Sequence, residues 1–193
     1  MQLFGNGRHL NTRVGQSEDG NDLSTVQKAK EGDRRAQKAI YDSLSGKMYA
    51  VCIRYMGDRE SAQDVLQDGF VTLFTKLDSY SGEGSFEGWA RKIFVNTALM
   101  SLRKKDILRN TEEVDTARNV RSGEESATDK IAYKDLMQLV SSLPPGFRTV
   151  FNMYVIEGYS HKEIAEELGI SETTSRSQLQ RARTLLQSKI KKM

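Results

Sequence analysis

The sequence predicts an all-α protein of two small helical domains joined by a flexible linker, the C-terminal one containing a helix-turn-helix. Three observations lead there. Apolar residues recur at three- and four-residue steps along most of the chain, and no segment alternates apolar and polar residues as a half-buried strand would. Asp106 to Asp129 has few apolar residues, no firm period and a Ser-Gly-Glu-Glu-Ser core. At roughly 25 residues it exceeds most connections inside one domain. Finally, Tyr159 to Arg183 combines a Gly turn, a Ser cap and a basic second helix.

The elements follow in chain order. Residues 1–22 are rich in Gly, Asn, Ser and Asp and read as a mobile tail. Helical pattern starts near Leu23, where Asp22 or Ser24 can cap, and breaks at Gly32-Asp33. It resumes from Arg34 to Leu44, and a third helix covers Lys47 to Met56, ended by Gly57-Asp58. A fourth runs from Arg59 to Leu77 with Ala62, Val65, Leu66, Phe70, Leu73 and Leu77 as its apolar stripe. The Gly/Ser loop of residues 79–85 tolerates close approach of another molecule. A fifth helix, from Phe86 to about Lys105, turns Trp89, Ile93, Phe94 and Leu102 inward. Beyond the linker, a helical unit begins near Lys130 with Ile131, Leu136, Leu139 and Val140, and Pro144-Pro145 breaks it. Phe147 to Ile156 forms the next helix and Glu157-Gly158 turns the chain. The domain boundaries expected are therefore a tail (1–22), an N-terminal lobe (23–107), an acidic linker (108–131) and a C-terminal lobe (132–193).

In the last lobe Ile164, Ala165 and Leu168 line one side of a short helix, and Gly169 supplies the left-handed residue that ends it. Ile170 staples the turn and Ser171 caps a second helix whose inward stripe is Leu179, Ala182 and Leu186. Ser171, Thr173, Thr174, Arg176, Ser177, Gln178 and Arg181 are left for a major groove, as a recognition helix requires. A helical hairpin that merely packs would not need that combination.

Composition narrows the function classes. Each half of a 193-residue chain split in two would bury only a modest core. No window approaches the run of about 20 apolar residues that a membrane span needs, and the first residues lack an apolar secretory core. A cytoplasmic location is expected. The single cysteine, Cys52, excludes an intramolecular disulfide and a cysteine zinc cage, and its neighbours Val51 and Ile53 suit a buried small hydrophobe. No metal, cofactor or catalytic residue is expected. The net charge of +3 says little, but its distribution is uneven. Asp58–Glu87 carries seven acidic and two basic residues, and Trp89–Arg109 six basic and one acidic. Asn110–Asp129 carries six acidic and two basic residues, and Glu172–Met193 six basic and one acidic. Two basic segments divided by acidic ones suggest two nucleic-acid contacts and at least one partner that is not DNA.

Three stretches resemble the extracytoplasmic-function sigma factors, promoter-recognition subunits of bacterial RNA polymerase. They are Asp58-Arg-Glu-Ser-Ala-Gln-Asp-Val-Leu-Gln-Asp-Gly-Phe70, Ser85-Phe-Glu-Gly-Trp-Ala-Arg-Lys-Ile-Phe-Val-Asn96 with Leu102-Arg-Lys-Lys105, and Leu143-Pro-Pro-Gly-Phe-Arg through Arg183. The resemblance implies an alternative sigma factor that binds core polymerase, recognises two promoter elements and stabilises strand opening. It implies that Asp64, Gln67, Asp68 and Phe70 dock the clamp helices of the polymerase's largest subunit. It implies further that Tyr80, Ser85, Phe86, Asn96, Arg103 and Lys104 contact the downstream element, duplex and melted. An anti-sigma factor, possibly membrane-anchored, is an implied partner; a small-molecule substrate is not. The chain departs from the commonest family pattern at Ser175, where a buried Val is usual, and at Gln178, where Arg is usual.

Two other readings compete. A stand-alone repressor or response-regulator-type activator with the same motif would bind its duplex site alone, commonly as a symmetric dimer. A metal-dependent nuclease could use clustered carboxylates, but Asp64 and Asp68 lack a converging His or further acid. His161, beside Lys162, reads as an ordinary surface histidine.

Overall fold

The computed structural model describes residues 22–104 and 137–191, and every regular element among them is helical. α1 (Leu23–Lys30) is capped by Asp22, whose side chain accepts from the Ser24 amide. α2 (Arg34–Met56) is capped by Asp33, which accepts from the Arg35 and Ala36 amides at 2.7 and 3.3 Å. The sequence predicts a break between Leu44 and Lys47; the structure has none. Gly46 is exposed with open space around it, and Leu44 and Met48 on either side are both buried. A glycine there weakens a helix by about 1 kcal/mol, less than the two core side chains hold in place. α2 ends at Gly57, in the left-handed region at φ 83°.

α3 (Arg59–Thr75) is capped by Asp58, which accepts from Ser61 N at 2.8 Å. It stops two residues before the expected Leu77, which instead opens a 3-10 turn, Leu77–Ser79. α4 (Phe86–Lys104) follows the Gly/Ser loop. α2, α3 and α4 pack around Ile40, Leu44, Met48, Val51, Tyr55, Val65, Leu73, Phe94, Leu99 and Leu102, all essentially sealed from solvent. Gly69 lets α3 and α4 approach closely: a Cβ there would sit 2.4 Å from the Phe94 ring.

The C-terminal lobe begins, within the described residues, with helical residues 137–141, here α5. α6 (Pro145–Phe151) places Pro145 in its first turn, where a missing N–H leaves no bond unmade. It does not run on to Ile156 as a regular helix. From Asn152 to Ile156 the turn widens, and Glu157 N donates to Asn152 O, five residues back, at 3.0 Å. α7 (His161–Leu168) and α8 (Glu172–Ile190) complete the lobe. Val140, Leu143, Ala182 and Leu186 form a small separate core.

The two lobes, expected to be joined by a flexible linker, pack together in the structure. Val150, Met153, Ile164 and Leu179 join the same buried cluster as α2–α4. Arg148, only 6% exposed, donates to the carbonyls of Tyr55 and Met56 at 3.0 and 2.8 Å. It also donates to those of Ser141 and Leu143 at 2.8 and 3.2 Å. The Asn152 amide donates to Arg54 O at 2.8 Å. A cation over the last carbonyls of α2 also meets the negative end of the helix dipole. Burial lowers the Arg148 pKa to about 10, opposed by Asp58, so the guanidinium stays charged at neutral pH. The tail of residues 1–21, the linker 108–131, and Lys105, Arg109, Ile131 and Leu136 lie outside the described residues.

Candidate nucleic-acid and polymerase interfaces

The helix-turn-helix is built by local chemistry. Ser160 accepts from Glu163 N at 3.2 Å while the Glu163 carboxylate accepts from Ser160 N at 2.7 Å, a capping box that starts α7. Hydrogen bonding from the Ser160 backbone amide, and then from its hydroxyl, holds the Glu163 carboxyl below its usual pKa. Gly169 at φ 66° ends α7, and Ser171 Oγ accepts from Thr174 N at 3.0 Å to start α8. Ile164, Leu179, Ala182 and Leu186 are buried, while Ala165 and Leu168 are half-buried. Ser171, Thr173, Arg176, Ser177 and Arg181 are exposed, and Thr174 and Gln178 are half-buried beside them. Arg176 donates to Glu172 at 2.7 Å, an exposed pair one turn apart. Such a pair contributes a few tenths of a kcal/mol, so a phosphate or base edge can replace it.

Ser175 occupies the buried position that the family resemblance implies, and His161 differs from expectation beside it. Ser175 is fully buried, and its hydroxyl lies 2.9 Å from His161 Nδ1. The histidine read as an ordinary surface residue is half-buried and stacked on Tyr154, with centroids 4.5 Å apart and planes at 23°. Burial, then Arg176, lowers its pKa, with Glu172 opposing and Arg183 adding to the decrease.

On α3, Asp64, Gln67 and Asp68 are exposed on one face. Val71, one turn on and 63% exposed, extends that face with an apolar contact missed in the sequence because it fits the helix's apolar spacing equally well. Phe70 is a correction: it is 5% exposed, its ring 4.5 Å from Tyr41 and edge-on to Phe94 at 5.0 Å. It packs α3 against α2 and α4 and offers no ring to a partner.

The loop aromatics are corrected in the same way. Tyr80 and Phe86 are 4% and 5% exposed, packed on each other at 5.1 Å and on Trp89 at 5.3 and 5.6 Å. Tyr80 OH donates to Gly84 O at 2.8 Å, and Lys30 Nζ donates to Tyr80 O at 2.7 Å. Aromatic pairs of this kind add about 0.5–1.5 kcal/mol beyond their burial, so the rings anchor the loop rather than stand free for a base. Ser85 remains exposed at the loop's end. Along α4, Lys92, Asn96, Met100 and Arg103 follow at three- and four-residue steps and all but Met100 are polar; all four are exposed, as is Lys104. Met100, 56% exposed between Asn96 and Arg103, was not singled out by the sequence reading.

Two cations of α4 are held by the C-terminal lobe. Arg103 donates to Glu167 at 3.3 Å, with both side chains about half exposed. Arg91 donates to Glu157 through Nε at 2.7 Å and Nη2 at 3.2 Å, and Arg54 Nη2 reaches the same carboxylate at 3.2 Å. The bond to Glu157 raises the Arg91 pKa against the opposing effect of burial. Among the described residues no group of His, Cys, Asp and Glu is arranged to hold a metal ion, and no helix is long and apolar enough to cross a membrane.

Comparison with known proteins places these surfaces in a family setting. Residues 40–107 match the profile "Sigma-70 region 2" and residues 133–186 the profile "Sigma-70, region 4". The chain is 26% identical over 180 residues to the ECF RNA polymerase sigma-E factor of Haemophilus influenzae, covering 88% of this chain and 95% of that one. It is 30% identical over 169 residues to the ECF RNA polymerase sigma factor SigE of Mycolicibacterium smegmatis, covering 83% and 65%. In fold it resembles the sigma factor RpoE of Bartonella quintana, solved in complex with the anti-sigma factor NepR. That similarity has a TM-score of 0.50 at 20% identity, over 80% of this chain and 96% of that one.

Proposed function

The chain belongs to the extracytoplasmic-function branch of the sigma-70 family, whose members direct promoter-specific transcription initiation with RNA polymerase, and from that premise we propose how its surfaces share the work. Residues 23–107 act as the lobe that binds core polymerase and the downstream promoter element, and residues 132–193 as the lobe that reads the upstream element. Asp64, Gln67 and Asp68 dock the clamp helices of the largest subunit, with exposed Val71 beside them. Ser85, Asn96, Arg103 and Lys104 contact the downstream element, and the lobe stabilises separated strands there. Ser171, Thr173, Thr174, Arg176, Ser177, Gln178 and Arg181 meet the upstream duplex, phosphate contacts positioning α8 and side chains reading base edges. The chain works by binding energy alone, without covalent chemistry. A protein inhibitor of the class that holds the Bartonella quintana relative is a further partner.

The observation that carries this reading is the pairing of an exposed acidic face on α3 with an exposed, capped recognition helix, α8, inside the two matched regions. Purified chain and core polymerase on a promoter-containing template test it: specific transcripts should require both. Identical start-site use with and without the chain would end the proposal. Asp64→Lys should abolish assembly with core polymerase while circular dichroism shows an intact helical lobe; normal assembly would remove that face from the interface. Arg176→Ala should weaken upstream-element binding by about 1–3 kcal/mol, with a changed base preference if it reads a base and a uniform loss if it meets phosphate. Unaltered promoter binding would count against α8 as the reading helix.

A further inference from the structure

We propose that His161 is a positioning residue for upstream-element recognition: its bond to Ser175 sets the rotation of α8 and thereby the place of the side chains that read the bases. The inference rests on α8 being the reading helix. The packing between α7 and α8 is otherwise apolar, made by Ile164, Leu168 and Leu179. Apolar contacts hold helices together but are non-directional. The His161–Ser175 bond supplies direction. It joins the first residue of α7 to the fourth of α8 at 2.9 Å, with the ring tautomer deciding which group donates.

The histidine is itself held. Tyr154 stacks beneath it at 4.5 Å, and the Arg183 guanidinium lies 6.0 Å from the centre of that same Tyr154 ring. Tyr154 sits in the widened turn Asn152–Ile156, a departure from α-helical geometry of the kind often found at functional sites. Arg183, Tyr154, His161 and Ser175 thus form one brace through the wide turn, α7 and α8.

Geometry explains why the brace affects reading. Side chains reach about 5–6 Å from a helix axis, so a rotation of roughly 10° carries their tips about 1 Å. Hydrogen bonds to base edges tolerate only about 0.5 Å. Ser175 lies immediately before Arg176, and a roll of α8 allowed by losing the bond displaces every candidate reader on that helix.

The test uses full-length variants in reconstituted holoenzyme. The promoter is selected with the wild-type protein from a randomised pool and then substituted one base pair at a time. His161→Ala and Ser175→Ala should each lower the preference for the selected upstream sequence by about three- to tenfold, the range for one hydrogen bond. The double variant should be no worse than either single one. His161→Asn, whose amide falls near the position of Nδ1, should restore the preference to within about twofold. Downstream-element preference should not change. Unchanged upstream preference in both alanine variants, effects that multiply in the double variant, or an equal weakening on every duplex would overturn the proposal. Arg181→Ala separates the two layers of inference. Lost preference there, with His161→Ala and Ser175→Ala unaffected, removes only the positioning role. Unchanged upstream binding in both Arg176→Ala and Arg181→Ala removes the reading helix and the positioning role with it.

Discussion

Glu157→Ala should part the two lobes while leaving each folded. The Glu157 carboxylate is 7% exposed, and its partner Arg54 is equally buried. Removing one member of a buried ion pair destabilises by about 3–5 kcal/mol, because the remaining charge keeps its desolvation penalty without its attraction. The chain has a cheaper alternative than unfolding, since opening the interface returns Arg54 to water. Lost docking therefore limits the measurable penalty. The interface already contains strain of this kind: Arg54 Nε, Tyr55 OH and Asn152 Oδ1 find no hydrogen-bond partner among the described residues. The radius of gyration from small-angle scattering should rise with no loss of helical circular dichroism, and Glu157→Gln should fall between wild type and Ala. A variant as compact as wild type would show that apolar packing by Val150 and Met153, rather than the ion cluster, holds the lobes together.

Phe94→Ala should be the most damaging single substitution within the N-terminal lobe. Phe94 is fully buried, stands edge-on to Phe70 at 78°, and occupies the space that Gly69 leaves by lacking a Cβ. Truncating a buried Phe costs about 3–5 kcal/mol, through lost transfer energy and the cavity left behind. A lobe of this size has a total stability of only about 5–15 kcal/mol, so the urea midpoint should move sharply. Because Phe94 packs on Phe70 of α3, the helix that carries the exposed Asp64–Asp68 face, assembly with core polymerase should weaken in parallel. A midpoint shift equivalent to less than about 1 kcal/mol would mean that the α3–α4 contact collapses around the gap, contrary to the close fit at Gly69.

How legible the site was depends on how far apart in the chain its determinants lie. Helix caps act over two or three residues, so Gly169 and Ser171 could be assigned from their neighbours alone, and the turn of the DNA-binding motif with them; Asp33, Asp58 and Ser160 cap in the same way, although the sequence marks Asp33 and Asp58 only as breaks. Gly46 misled because a helix tolerates an exposed glycine when tertiary packing grips both sides. Phe70, Tyr80 and Phe86 misled for a related reason. An aromatic residue beside a polar face or in a glycine loop satisfies a surface role and a core role equally well until the neighbouring elements are placed. Ser175 was marked as unusual for its position, but its partner could not be named, because His161 lies fourteen residues away on another helix.

Helical class, the capped helix-turn-helix, the acidic face of α3 and the basic stretches at 89–109 and 172–193 are properties of short-range pattern and composition, and the chain order alone specified them. Burial of Glu157 between Arg54 and Arg91, 103 and 66 residues distant, was decided only by folding. So was the insertion of Arg148 into the last carbonyls of α2, 92 and 93 residues away, where Gly57 leaves no Cβ in its path. The reason is physical: a charge shows its preference for water locally, but whether a counter-charge and free carbonyls compensate its burial depends on which helix ends the fold brings together.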